Sequence, residues 1–372
     1  MSTEQKNGNS QSLIQYEASL QSTISWVDRS IGENHEGSSA YFGAWGKWAD
    51  PYPETTGYLI PTLLDYAEYS SSTDPVETAY GLGEWLLSIQ ADEGFWHGMT
   101  HPPAEPNPSV FNTAQILLGL CALHRHGKDD GPWLSAAQKG VCWLVDGLGS
   151  AGRWSDGNYQ GEFNPSYYTR VAWPLLEVWA LTGNPDVRDA AVRVLSRILE
   201  RRQNTGEFSG WGFEPNAPAF THTIAYTLRG FLESARLLDD WSTYGEPAEE
   251  ALNLLYRHAE LSNGTLPGKY GEGWEKNTGF TCLTGNAQVA ICLLKYESRE
   301  SDLRLVNAAC KLVDEVMNCQ SQSHLVSGIQ GAIPGSSPLW GKYMRFRYPN
   351  WAAKFYCDAL LLLIPRLREE GL

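Results

Sequence analysis

Six segments of the chain share one register of polar and apolar positions. Each opens a helical stretch with a polar or aromatic residue and places another one turn later: Glu54/Tyr58, Phe111/Gln115, Thr169/Trp173, His222/Tyr226, Thr284/Gln288 and Asn350/Lys354. The first members follow one another at intervals of 57, 58, 53, 62 and 66 residues. The residue just before the second member is always small: Gly57, then Ala114, Ala172, Ala225, Ala287 and Ala353. Positions i and i+4 share a helix face, so each segment presents one stacked pair in one direction. Past their first turn these segments (55–70, 112–126, 170–183, 223–238, 284–296 and 350–366) are apolar nearly all round, as buried helices are.

Between them run stretches of another kind. Residues 12–29, 77–90, 135–148, 186–203, 247–260 and 300–320 carry charges on one face and apolar residues at three and four spacing on the other. Alternating β-branched runs that would make strands are missing. Twelve helices therefore alternate between an outer and an inner layer, and a long loop rich in glycine and aromatic residues precedes each inner helix. A hairpin of this size cannot bury its inner helix alone, so the pattern predicts closure into a ring. The expectation is all-α: one (α/α)6 toroid over residues 12–372, after a disordered start at 1–11.

Composition narrows the partners. With 42% hydrophobic and 12% aromatic residues the chain can build a large core. Its 28 basic and 43 acidic residues leave a net charge of −15, which opposes binding to nucleic acid or an anionic membrane. No segment has the length and apolarity of a transmembrane helix, and the polar first ten residues lack the apolar core of a signal peptide, so a soluble cytoplasmic protein is expected. The seven cysteines show no CxxC spacing and read as reduced thiols, with no metal or cofactor implied.

In the ring, six inner N-termini point partial positive charge at one mouth, a setting for anions. Arg170, His222, Arg229, Lys354, Arg345 and Arg347 fall in or beside it. The loops add Trp48, Tyr168, Trp211 and Trp274 among many aromatics, faces on which sugar rings stack.

The segment Gln90 to Trp96 reproduces the QxxxGxW signature of squalene–hopene cyclases, with weaker echoes at Gly152-Arg153-Trp154 and at Gln203 to Phe208. The chain thus resembles the α/α-toroid superfamily of terpenoid cyclase/prenyltransferase-like and six-hairpin glycosidase-like proteins. The stretches YPETTGYLIPTLLDYA, THTIAYTLRGFLE, CLTGNAQVAICLL and YPNWAAKFYCDALLL are similar to bacterial proteins found among exopolysaccharide biosynthesis genes. The resemblance implies the fold and a setting in polysaccharide biosynthesis, without fixing a reaction.

The chemistry of the paired positions favours sugars. Terpenoid cyclisation relies on a DxDD-type aspartate and prenyltransfer on a zinc set, and neither pattern is present. One expectation is a uronate-containing saccharide whose carboxylate is held by Arg170, Arg229 or Asn286. Tyr58, His222 and Tyr226 then move the C5 proton, as a C5-epimerase or a lyase would. Six-hairpin lyases and the helical domain of glucuronyl C5-epimerases use a similar tyrosine and histidine set. Gln288, Lys354, Trp173, Tyr168, Trp48, Trp211 and Trp274 are the further binding candidates. The alternatives are a glycoside hydrolase whose carboxylate pair joins Glu54 to Asp156, Glu162, Glu272 or Glu275, a terpenoid cyclase-like enzyme, and a non-catalytic glycan-binding subunit.

Overall fold

The computed structural model describes residues 3–32, 35–127, 131–277, 279–323 and 325–370, with side chains from Ser12 onward. The expected disordered start at 1–11 falls outside the residues whose side chains are described. Twelve α-helices make up most of the described chain. The outer ones are α1 (Thr3–Ile31), α3 (Asp74–Ser88), α5 (Trp133–Asp146), α7 (Pro185–Leu199), α9 (Trp241–Leu261) and α11 (Leu303–Asn318). The inner ones are α2 (Pro53–Ser70), α4 (Val110–His126), α6 (Thr169–Thr182), α8 (Thr221–Leu238), α10 (Leu283–Glu300) and α12 (Asn350–Glu369).

Each inner helix packs on the next inner one, and α12 returns to α2, so the ring is closed. Each inner helix also pairs with the outer helix that follows it. Helix α12 has no outer helix after it, and α1 takes that place. Local chemistry explains the tight inner-to-outer turns. Helices α6, α8 and α10 stop on a left-handed residue, Gly183, Asp239 and Ser301. The next residue in each case, Asn184, Asp240 or Asp302, accepts the N–H of Asp186, Thr243 or Arg304 at 3.0, 3.1 and 2.9 Å and starts the outer helix.

The outer layer is joined by a glycine device at the helix ends. Gly94 has φ +105°, and a Cβ there would lie 2.4 Å from the Lys139 carbonyl oxygen of α5, so only glycine admits the contact. Gln90 Nε2 donates to the Gly94 carbonyl at 2.8 Å and to Ala136 of α5 at 3.0 Å, and Trp96 Nε1 donates back to Leu86 at 2.8 Å. The QxxxGxW motif is thus a clamp between neighbouring outer helices. Gly152 abuts Arg193 of α7, Gly206 abuts Glu250 of α9, Gly264 abuts Lys311 of α11, and Gly331 abuts Ser22 of α1.

Among the described residues, eight strands of two or three residues staple the long loops at the N-terminal mouth of the inner helices. They are β1 (Tyr41–Gly43), β2 (Lys47–Trp48), β3 (Ala219–Phe220), β4 (Lys269–Tyr270), β5 (Lys276–Asn277), β6 (Thr281–Cys282), β7 (Ser336–Ser337) and β8 (Arg347–Pro349). Strands β2, β1 and β8 form one sheet, β3, β4 and β5 a second, and β6 with β7 a third. The conserved small position of the register lets inner helices touch: a Cβ on Gly57 would meet the Ile116 Cα at 2.6 Å. All seven cysteines are free, and Cys142 is exposed whereas Cys121, Cys282, Cys292 and Cys357 are buried. No helix among the described residues is long and apolar enough to cross a membrane.

Candidate active site

The register brings its second members to the bore of the ring. Tyr58, Trp173, Gln288 and Lys354, together with Arg170 and Arg229, line a cavity of 180 Å³ that also exposes Asp65, Glu177 and Asp358. The cavity does not open where the sequence places the cleft. Aromatics of the loops and of the first turn of α4 roof the helix N-termini, with Phe213 5.9 Å from Phe220, Phe111 5.3 Å from Tyr167, and Tyr343 5.0 Å from Phe220. Glu54 and His222 are consequently buried. The open end instead runs toward the inner C-termini, past Glu68, His126, Arg236 and Lys295.

Arg170 sits at the floor of this cavity. It is 3% exposed, and its Nε and Nη2 both donate to Gln115 Oε1, at 3.0 and 2.6 Å. Its guanidinium lies 4.7 Å from the Tyr226 ring centroid and 4.9 Å from that of Trp173. Among the described residues no carboxylate pairs with it directly. Burial lowers its pKa, since a cation is being held out of water.

Glu54, His222 and Tyr226 gather with Tyr58 around that guanidinium beneath the roof, and of the four only Tyr58 lines the cavity. Burial pushes the Glu54 carboxyl up to about 7, against a hydrogen bond from Tyr52 and the charge of Arg170 that lower it. Tyr58 and Tyr226 are hydrogen-bonded to each other, and burial holds both phenols protonated. The His222 ring lies 4.2 Å from Tyr226 and 5.2 Å from Tyr343. Burial, with Arg170 second, takes its pKa down to about 3, so the imidazole is neutral. Gln288 Nε2 meets its Nδ1 at 2.5 Å. With the amide so oriented, Nδ1 accepts and Nε2 carries the proton.

Lys354 and Arg229 also reach the cavity, but each is partnered. Lys354 pairs with Asp358, and Arg229 Nη2 with Glu233 at 2.8 Å, both across one helical turn. Burial raises Glu233, yet Arg229, Lys295 and Arg236 together take it down to about 2. Asp65 is pushed up to about 6 by burial and by the neighbouring Asp358.

The remaining binding candidates stand elsewhere. Tyr168 donates to Asn158 Oδ1 at 2.9 Å, and Asn286 Nδ2 to the Gly264 carbonyl at 2.7 Å. Trp48 packs 5.4 Å from Trp26, and Trp211 5.3 Å from Trp274, whose Nε1 donates to Thr205. None of these five lines the cavity. Asp156, Glu162, Glu272 and Glu275 are exposed on the loops.

Sequence reasoning missed Asp65, Glu177, Asp358 and Gln115 as site groups. Carrying the register one turn further would have found two of them. Trp173 plus four is Glu177, to which it donates at 2.8 Å, and Lys354 plus four is Asp358. Tyr58 plus four is Thr62, which donates to Asp358 at 2.6 Å. Among the described residues no group of His, Cys, Asp and Glu is placed to hold a metal ion.

Comparison with solved structures fits this fold. The fold is the six-hairpin α/α toroid. The chain is similar to an unsaturated glucuronyl hydrolase from Bacillus sp. GL1 (TM-score 0.72, 16% identity, covering 93% of this chain and 96% of that one). It is similar to a cellobiose 2-epimerase from Spirochaeta thermophila DSM 6192 (TM-score 0.76, 15% identity, 99% and 100% covered). It also matches a D-mannose isomerase (TM-score 0.73, 12% identity, 93% and 97% covered). No protein-family model matches the sequence. No curated protein matches it either.

Proposed function

We propose that this protein is a carbohydrate-active enzyme that moves the C5 proton of a uronate unit in an acidic saccharide. The observation that carries the reading is Arg170, a buried guanidinium with no carboxylate paired to it among the described residues, set beside groups able to transfer protons. A buried cation without a counter-ion is costly, and a substrate carboxylate removes that cost while gaining charge-assisted hydrogen bonds. Binding the carboxylate to Arg170 also acidifies the adjacent C5–H bond, because the enolate-like charge that develops is neutralised there.

Glu54, titrating near neutrality, accepts the C5 proton, and a phenol of the Tyr58–Tyr226 pair returns one to carbon. Return gives the C5 epimer; departure of the neighbouring glycosidic oxygen gives an unsaturated lyase product. His222, held neutral and oriented by Gln288, donates from Nε2 beside Tyr226. That the neighbours in fold are named as a glucuronyl hydrolase, an epimerase and an isomerase supports a saccharide substrate by analogy.

One observation favours hydrolysis as a second reading: a carboxyl near 7 is protonated as a general acid must be. The reading lacks its second carboxylate, since none of the four loop acids acts on Glu54. Incubation with polyglucuronate and polygalacturonate in deuterated water separates the outcomes. Deuterium at C5 without chain cleavage identifies an epimerase, and new ultraviolet absorbance identifies a lyase. Reducing ends released without either would move the assignment to hydrolysis.

A further inference from the structure

The N-terminal mouth carries a feature that the proton-transfer site does not use. Between Glu315 and Asp358 the sequence has no acidic residue, although the whole chain has 43. The loop from α11 to α12 thus supplies Lys342, Arg345 and Arg347 without a single counter-charge of its own. All three are exposed. Among the described residues none of them forms an ion pair, in contrast to Arg125, Arg229 and Lys354 of the bore.

Backbone pairing fixes where these charges stand. Strand β8 places Arg347 opposite Gly43 of β1, which in turn lies opposite Lys47 of β2. The Ala44 N–H donates to the Phe346 carbonyl at 2.9 Å, and the Phe346 N–H to the Leu339 carbonyl at 2.9 Å. The tip of the β1–β2 hairpin and the residues around Trp340 therefore belong to one surface. Trp45 is 81% exposed and Trp340 62% exposed. Trp45 meets Phe346 edge-on at 5.4 Å, Arg345 lies 5.2 Å from the Phe346 ring, and Arg347 4.5 Å from the Tyr41 ring.

We infer that this surface docks the chain of an anionic polysaccharide, whose successive sugars stack on Trp45 and Trp340 while their carboxylates or sulfates meet Lys342, Arg345 and Arg347. Unpaired cations spaced along a rim attract a polyanion and release its counter-ions. Large exposed indoles supply apolar faces for the C–H surfaces of pyranose rings. The same loop reaches the reaction site, because Tyr343, between Lys342 and Arg345, packs 5.2 Å from His222. The inference rests on the saccharide reading and extends it from a uronate unit to a polymer held on the roofed N-terminal face, away from the cavity's open end at the inner C-termini.

Binding can be scored without turnover. Affinity electrophoresis of the full chain through gels containing polygalacturonate should retard it, with retardation fading as salt rises. Gels containing neutral dextran should not retard it. Lys342→Glu with Arg345→Glu should weaken the polygalacturonate interaction by roughly tenfold or more, and Trp340→Ala should weaken it at unchanged salt dependence, both at an unaltered melting temperature. Absence of retardation, or equal retardation of the charge-reversed variant, overturns the docking surface. Equal retardation of the wild type by single-stranded DNA or polyphosphate also overturns it, since charge alone would then suffice. Polymer retention without turnover of any uronate would instead remove the catalytic assignment and leave the docking surface standing.

Discussion

The guanidinium of Arg170 rests over the ring of Tyr226, 4.7 Å from its centroid, while its hydrogen bonds go to the uncharged amide of Gln115. The other basic groups of the cavity are answered by carboxylates: Arg229 and Lys354 by Glu233 and Asp358 one turn away, and Arg125 by Glu177 of the next inner helix. This difference separates residues that hold the bore together from one held ready for a ligand.

Replacing Arg170 tests that separation. Arg170→Met removes a buried charge with no bonded carboxylate among the described residues but leaves Gln115 Oε1 unpaired, so stability should fall by no more than about 1–3 kcal/mol. The kcat/KM for an acidic saccharide should drop by roughly 10²–10³-fold, the cost of losing a charge-stabilising donor. A variant that melts well below the wild type would make Arg170 a structural cation.

Tyr226→Phe removes one hydroxyl from the Tyr58–Tyr226 pair. Its stability cost should be about 1 kcal/mol, the net worth of one hydrogen bond. Turnover should fall by roughly 10²–10⁴-fold if the phenol transfers a proton. Denaturant titration beside steady-state kinetics gives both quantities from one preparation. Equal, small losses in both would remove the phenol from the reaction.

Glu54 predicts a pH dependence with a definite sign. Its folded pKa, about 7, lies above the ordinary carboxyl value of 4.5, so the folded state keeps a proton that the unfolded chain releases. Stability therefore falls as pH rises from about 4.5 to about 7, by about 3 kcal/mol at completion. Glu54→Gln lacks this loss. Its stability gain over wild type should be small at pH 5 and level off above pH 8. His222 acts oppositely, losing stability as pH falls from 6.5 toward about 3, and this term cancels in the comparison. A constant difference across pH would falsify the elevated Glu54 pKa.

Gly94→Ala addresses the outer layer. The substitution strains a φ of +105° and drives a methyl against the Lys139 carbonyl, so it should cost about 3 kcal/mol. Gly161, where a Cβ meets nothing within 4 Å, is the control for backbone strain without the clash. If the two alanine variants melt alike, close approach is not what the motif provides.

Much of this architecture is legible in the sequence because the ring repeats. The Glu54/Tyr58 and Asn350/Lys354 pairs announce inner helices by their i, i+4 spacing, and the small position before each second member records a real helix contact at Gly57. Gly152 and Gly206 are visible as echoes of the Gly94 motif. Gly264 and Gly331 perform the same clamp without its glutamine or tryptophan, so spacing alone does not reveal them. The direction in which the bore opens is equally hidden. It depends on whether Phe111, Phe213 and Tyr343 fold inward, a matter of loop packing that no periodicity encodes. Trp48 and Asn286 mislead for a related reason: an indole that seals a turn and one that meets a sugar have the same one-letter code.

The pairing of α1 with α12 gives the ring a seam. Ser19 of α1 shares a hydrogen bond with Tyr356 of α12, 337 positions away, and Gln320 joins the same buried cluster by donating to Thr23. Five hairpins arise from neighbours in sequence, but the sixth is made only when the two ends of the fold meet. Closing it carries the largest loop entropy in the molecule, so it belongs late in folding. During synthesis the inner faces of α2 and α10 must wait for α12, the last helix of the ring. The same seam makes the architecture tolerant of relocation: a peptide joining the ends of α12 and α1, with a cut at an exposed loop, would rearrange the order of the hairpins without altering any contact of the ring.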